Sequence, residues 1–208
     1  PKYRMYVDGD TAFCIQPGVP LHTGDQLTAN SSETWNALSD SQKKAVGLAL
    51  LYGYQGNRDG LTGSDDEKWL ATQTLIWEFV TGCRNASGSF SQTDTTVYDL
   101  HFGSNYPNSG AAAAYDQIVS MLRNHNTVPS FMNGSTAEFE YGNGRYVLSL
   151  TDSNNVLSEY TISVSDNSVN ISQSGNTLTI TTDDVISDSV TITATRNNSG
   201  DVTACAFN

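Results

Sequence analysis

Clustered basic residues, long apolar runs and a paired cysteine framework are all missing from this chain of 208 residues. The net charge is −12 and the ten Lys and Arg residues are scattered, which excludes nucleic acid as a partner because phosphates require clustered basic side chains. No apolar run approaches the roughly 20 residues that cross a bilayer, so no membrane segment is expected in this stretch. Three cysteines, Cys14, Cys83 and Cys205, form no Cys-x-x-Cys pair. They therefore indicate neither a disulfide framework nor a zinc site, and no cofactor is expected.

The two ends of the chain resemble internal positions of a longer protein. The chain begins at Pro1 rather than Met, without a signal-peptide pattern, and stops at Asn208 directly after the strand-like sequence VTACAFN. We therefore expect targeting and anchoring segments to lie elsewhere, and the last part of the chain to be truncated at its C-terminus.

The character of the sequence changes near residue 130. Before this point the apolar residues follow helical spacing, and after it they alternate with period two between turn pairs such as Gly175-Asn176. The sequence therefore predicts an α+β fold. A hairpin with a helical subdomain is expected at 1–133, and an antiparallel, sandwich-like β subdomain at 134–208.

The N-terminus has the pattern of a β-hairpin. Asp8-Gly9 predicts its turn, with strands at about 3–7 and 11–15. This prediction places Cys14 near the end of the second strand, just before the break at Pro17-Gly18.

Three longer helices are predicted by their caps and apolar spacing. The first spans 40–52, and the second runs from a capping box at Ser64 and Glu67 to a stop at Gly82. The third spans about 109–124. The strands expected beyond it are 137–141, 145–151, 157–164, 169–172, 177–182, 189–196 and 202–207.

A polar pair interrupts the apolar face of the second helix. By i, i+3, i+4 spacing this face carries Trp69, Thr72, Gln73, Ile76, Trp77 and Val80. A buried carboxamide costs about 1–3 kcal/mol unless its hydrogen bonds are made, so Gln73 is expected to have a specific partner. From the residues alone, Gln73 is either a structural brace or a functional group. Cys14 is similarly either a buried apolar filler or a nucleophile.

Three short motifs stand in order along the chain: AFCIQPG at 12–18, ATQTLIW at 71–77 and NHNTVPSF at 124–131. Together with ALLYGYQG from Ala49 to Gly56, they resemble the thioester domains of Gram-positive surface adhesins. Those domains carry an aromatic-Cys-aliphatic motif near a strand end and a Thr-Gln-x-x-aliphatic-Trp motif on a helix. The β-rich half is similar to members of that family as well, so the resemblance covers almost the whole chain.

The resemblance implies a thioester between the Cys14 side chain and a glutamine, formed with loss of ammonia. A lysine amine of a host or other extracellular surface protein then attacks this bond and leaves an amide. The acyl-donor glutamine of the family usually lies in a later apolar-Gln-x-x-apolar-apolar motif, which this sequence does not show. The donor is therefore Gln73, Gln173 or a residue beyond Asn208, and the last is favoured. Gln73 is a site residue in any case, as partner or as organiser.

The resemblance further implies an extracellular, cell-wall-anchored adhesion module. It would act once per molecule, as a monomeric covalent binder rather than an enzyme. The main alternative is a non-covalent structural or adhesion module. A cysteine hydrolase is disfavoured, because it would need His22, His101 or His125 beside Cys14 and none of the three stands in a recognisable signature.

Overall fold

The described part of the chain combines a hairpin, helices and, later, antiparallel sheets, which confirms the α+β class. In the computed structural model of the protein, the described residues are 4–20, 22–29, 32–86, 90–91, 96–103, 108–186 and 189–198. The predicted strand at 202–207, with Cys205, lies outside them. The chain divides into two compact units, the first ending at His125 and the second beginning at Asn126. Among the described helices, none is long and apolar enough to cross a membrane.

The first unit contains the hairpin and the helices. Its elements are β1 Met5–Val7, β2 Asp10–Ala12, α1 Glu33–Ala37, α2 Asp40–Tyr52, α3 Tyr54–Asn57, α4 Asp65–Thr81, α5 Thr96–Phe102 and α6 Ser109–Asn124. The three longer helices agree with the prediction, whereas α1, α3 and α5 were not predicted. These three have between four and seven residues, which is too short for apolar periodicity to be recognised.

Helix α4 lies in the core of the first unit. Its capping box is present, because the Ser64 side chain accepts from the Glu67 N–H while the Glu67 carboxylate accepts from the Ser64 N–H. Gly82 ends the helix with a left-handed φ of 79°, a conformation that glycine adopts without strain. Helices α2, α5 and α6 all pack against α4. Because these helices pack against it, α4 buries more residues than the single predicted face contains. The additional buried residues are Leu70, Ala71, Thr74, Leu75, Glu78 and Phe79.

The second unit is built from two antiparallel sheets. Its strands are β3 Glu140–Gly142, β4 Arg145–Thr151, β5 Tyr160–Val164, β6 Asn170–Ser174, β7 Thr177–Thr182 and β8 Ile192–Arg196. One sheet has the order β3-β4-β7-β6 and the other pairs β5 with β8. Side chains from both sheets share one apolar cluster, which includes Ile162 of β5 and Ile180 of β7. The alternating pattern in the sequence predicted both ends of β4 and of β7. The strands β5 and β8 begin three residues later than predicted.

A buried carboxylate holds the turn between β4 and β5. Asp152 is 1% exposed and accepts hydrogen bonds from the N–H groups of Ser130, Asn154, Val156 and Leu157. Although burial opposes ionisation, these hydrogen bonds hold the pKa of Asp152 below its ordinary value. The Asp152 carboxylate thus accepts hydrogen bonds from main-chain N–H groups that would pair with a neighbouring strand in a sheet.

Candidate functional site around Cys14

Gln73 connects helix α4 to the main chain of Cys14. The Cys14 N–H donates to Gln73 Oε1 at 2.7 Å, and Gln73 Nε2 donates to the Cys14 carbonyl oxygen at 2.8 Å. The side chain of Gln73 is fully buried. The predicted burial and specific partner of Gln73 are confirmed. Only a carboxamide offers one donor and one acceptor in this arrangement, which explains why this position carries Gln rather than Glu.

This contact also corrects the predicted end of the second strand. The strand was expected to continue to residue 15, but β2 ends at Ala12. Beyond Ala12, the main-chain groups of Cys14 bind the Gln73 side chain. The carboxamide takes the place of a neighbouring peptide group, so a helix side chain holds Cys14 after the strand has ended.

The segment before Cys14 runs along α4 in the same direction as the helix. Trp69 Nε1 donates to the Ala12 carbonyl oxygen at 3.2 Å, one helical turn before the Gln73–Cys14 contact. Two extended residues advance about 6.6 Å and four helical residues advance about 6 Å, so the two contacts stay in register. Phe13, between them, stacks on the Trp69 ring with centroids 5.7 Å apart. The helix therefore fixes residues 12–14 as a unit.

Thr72, directly before Gln73 on α4, makes two hydrogen bonds of its own. Its Oγ1 accepts from the Tyr54 N–H at 2.8 Å and donates to the Lys68 carbonyl oxygen at 2.9 Å. A Cβ atom at Gly53 would collide with the Thr72 side chain and with the Ala49 carbonyl oxygen. The Thr-Gln pair thus has two tasks, since Thr72 holds the junction of α2 and α3 while Gln73 holds Cys14.

Cys14 lies directly before a bend of the main chain at residues 15 and 16, and the residue is partly exposed. Its Sγ donates to the Gln16 carbonyl oxygen at 3.2 Å. The Gln16 side chain reaches α1, where its Nε2 donates to Thr34 Oγ1 at 2.6 Å. Partial exposure of the residue does not fit a fully buried apolar filler.

Trp77 continues the same face of α4 one turn beyond Gln73. Its ring stacks on His101 of α5, with centroids 5.2 Å apart and an interplanar angle of 25°. Its Nε1 atom is buried, and no hydrogen-bond partner for it exists among the described residues. Trp77 and Val80 are only partly buried, in contrast to the other predicted residues of this face.

The three histidines are each engaged with another side chain. His22 is exposed and lies beside Asp25, with 3.8 Å between Nδ1 and the carboxylate oxygen. His101 stacks on Trp77, and His125 Nδ1 shares a hydrogen bond of 2.7 Å with the Tyr52 hydroxyl. Within the described ranges, no three metal-ligating side chains form a group.

A buried charged cluster at the end of α4 was not predicted. The Arg84 Nε donates to the Glu78 carboxylate at 2.7 Å, the Tyr115 hydroxyl donates to the same oxygen at 2.7 Å, and Arg84 also binds the Phe90 carbonyl. Burial, reinforced by Glu78, raises the pKa of Tyr115, so the phenol stays protonated as a donor. The cluster joins α4, the following loop and α6. A single Glu inside the apolar run LIWEFV was the sequence feature that could have indicated it.

Gln173, one of the candidate acyl donors, lies in the second unit. It is part of β6, and its side chain is exposed. It pairs with Leu178 of β7 in the sheet register.

Comparison with known proteins identifies one family. The family model for the thioester domain matches residues 11–124, a span that contains Cys14, Thr72 and Gln73. Among solved structures, the thioester domain of the Staphylococcus aureus TIE protein is similar to this chain, with 22% sequence identity and a TM-score of 0.48. The match covers 93% of this chain and 75% of that one. No curated protein matches the chain significantly.

Proposed function

The chain belongs to the thioester domain family, and we propose that it forms a thioester at Cys14 and captures a lysine amine of an extracellular protein. The observation that supports this most is the pair of hydrogen bonds by which the buried Gln73 holds both main-chain groups of Cys14. A cysteine that only fills space needs no such fixation. A cysteine that must meet a carbonyl carbon in one geometry does need it.

The first step of the proposed chemistry makes the thioester. The Cys14 sulfur attacks the side-chain carboxamide carbon of a glutamine, a C–S bond forms and the C–N bond breaks. The thiol proton leaves with the amide nitrogen as ammonia. The thiol and the carboxamide are the only reactants in this step, so it uses no cofactor.

The second step captures the ligand. The nitrogen of a neutral lysine amine attacks the thioester carbonyl, an amide bond forms and the C–S bond breaks. The amine proton passes to the departing sulfur, which restores the Cys14 thiol. Because the glutamine acyl group is consumed, the protein reacts once per molecule and is a covalent binder rather than an enzyme.

Gln73 acts in this scheme as a positioning residue. Its carboxamide oxygen and nitrogen are both occupied by the Cys14 main chain, which supports the role of organiser over that of acyl donor. Another glutamine then supplies the acyl group, and peptide mapping of the cross-linked protein identifies it. The aromatic pair of Phe13 and Trp69 beside Cys14 favours a site that limits hydrolysis by water.

The biological setting is part of the same proposal. The family supports an adhesion module, and we place it at the cell wall of a Gram-positive bacterium, as a monomer. The acidic net charge of −12 suits capture of lysine side chains on a basic surface, because opposite charges raise the rate of encounter. Protease treatment of intact cells should remove the domain if it is exposed there.

Methylamine tests the proposed reaction directly. The full-length protein should gain one methylamine adduct by intact mass, because the small amine replaces lysine in the second step. Cys14→Ala should gain none, while the matched variant Cys83→Ala should react like the wild type. Equal labelling of the Cys14→Ala variant would refute the assignment, and no adduct on any of the three would favour a non-covalent adhesion module.

A further inference from the structure

Trp77 carries a buried hydrogen-bond donor that no described residue accepts from. Its indole N–H can only donate, and it has no acceptor among the described residues. Buried polar groups in folded proteins are nearly always hydrogen-bonded, so an unused one requires an explanation. Trp69, eight residues earlier on the same helix, has its indole N–H bound to the Ala12 carbonyl.

The position of Trp77 relates it to the Cys14 thiol. Trp69 binds Ala12, and Gln73, one helical turn later, binds Cys14. The next turn on this face of α4 carries Trp77. The Cys14 sulfur points onward in the chain, toward the Gln16 carbonyl. The thiol and the Trp77 indole are therefore on the same side of the Gln73–Cys14 contact.

The described main chain does not supply an acceptor for the Trp77 indole. After Cys14 it bends at Ile15 and Gln16, and the Gln16 carbonyl accepts from the Cys14 thiol and from the Val19 N–H. An extended continuation would have brought a carbonyl toward Trp77, as Ala12 meets Trp69. The bend instead leaves this turn of α4 without a described main-chain acceptor for the indole.

The indole is also held in a fixed orientation. Its ring stacks on His101 of α5, and α5 packs on α4. A donor that is fixed before the reaction stabilises developing charge without reorganisation, which is the arrangement of an oxyanion hole.

We propose that the Trp77 indole N–H donates to the carbonyl oxygen of the acyl group on the Cys14 sulfur. This inference rests on the proposed thioester. In thioester formation the oxygen gains negative charge as the sulfur adds, and loses it as ammonia leaves. In capture it gains charge as the amine adds, and loses it as the sulfur leaves. Trp77 thus stabilises both intermediates, whichever glutamine supplies the acyl group.

The test is the rate of methylamine addition to the thioester form of Trp77→Phe in the full-length protein. Phenylalanine keeps an aromatic ring against His101 but removes the donor. We expect the rate to fall roughly 100-fold, as for the loss of one oxyanion donor. The midpoint of thermal unfolding should fall only by the packing of the lost ring atoms, because no hydrogen bond of the described fold is lost. Trp69→Phe, which removes the bond to Ala12, should lower that midpoint.

Trp35→Phe is the matched control for the rate, since Trp35 also packs partly buried against the core of the first unit. It should react like the wild type. The thioester carbonyl band in the infrared should move to higher frequency in Trp77→Phe alone, because a hydrogen bond lowers that frequency. If Trp77→Phe folds poorly, benzothienylalanine at position 77 keeps the ring shape, replaces N–H by sulfur and should show the same slow rate.

Two results would overturn the inference in distinguishable ways. A wild-type rate and an unshifted carbonyl band in Trp77→Phe would refute the role of Trp77 while leaving the thioester in place. A wild-type protein without any thioester would remove the proposed function and this inference with it. A folded Trp77→Phe that forms no thioester, beside a Trp35→Phe that does, would support the inference, because formation passes through the same charged oxygen.

Discussion

Replacing Gln73 with methionine is expected to slow methylamine capture at Cys14 by roughly 100-fold, the size of effect that follows from misplacing a reacting group. Methionine fills a similar volume but offers neither a donor nor an acceptor of comparable strength. The Cys14 N–H and carbonyl then lose the two hydrogen bonds that fix them. Each unpaired group should also cost about 1–3 kcal/mol of unfolding free energy where water cannot replace Gln73.

Gln117→Met is the matched control for this variant. Gln117, like Gln73, makes two hydrogen bonds to a single distant residue, although it accepts both of them, from the N–H and the hydroxyl of Thr62. Its replacement should lower stability without changing the capture rate of the folded protein. A capture rate in Gln73→Met equal to that in Gln117→Met would show that the Gln73–Cys14 contact is structural only.

Replacing Arg84 with methionine should lower the free energy of unfolding of the first unit by about 3–5 kcal/mol, because it leaves a buried carboxylate without its partner. Glu78 is fully buried, its charge is compensated by Arg84, and the Tyr115 hydroxyl donates a hydrogen bond to it. Denaturant unfolding followed by circular dichroism measures this loss. Arg58→Met is the control, since the Arg58 side chain is half exposed and its ion pairs lie at the surface. It should change the midpoint little.

The loss in Arg84→Met should depend on pH in a defined direction. Burial raises the pKa of Glu78, against the opposing effects of Arg84 and Tyr115. Without Arg84 the folded-state pKa rises further above the unfolded one, so the folded variant binds a proton more tightly. Its stability should therefore recover as the pH falls from neutral through that raised value. A loss independent of pH would show that Glu78 is not the group responsible.

Local patterns in the sequence were sufficient for the larger elements. Helix α2 begins and ends where its cap and spacing predicted, and α4 has both the Ser64–Glu67 capping box and the Gly82 stop. The hairpin turn at Asp8-Gly9 is present, with positive φ at both residues. These features succeed because a cap or a turn is decided by residues a few positions apart.

Contacts between distant residues could not be predicted in the same way. That Cys14 would leave the strand for the Gln73 carboxamide depends on the chain folding back over a sequence separation of 59 residues. The burial of Glu78 depends on Arg84 from the next loop and on Tyr115 from α6. Spacing on α4 showed that Gln73 needed a partner, and motif resemblance pointed to Cys14. Neither could supply the geometry, nor the unused donor of Trp77.

The intact mass of the untreated full-length protein measures the proposed thioester without any added reagent. We expect a mass lower than that of the sequence by one ammonia, and a Cys14 thiol that resists alkylation until methylamine is added. In Cys14→Ala the deficit should disappear. A wild-type mass equal to that of the sequence, with Cys14 alkylated at once, would contradict the thioester and leave the Gln73–Cys14 contact as a feature of the fold alone.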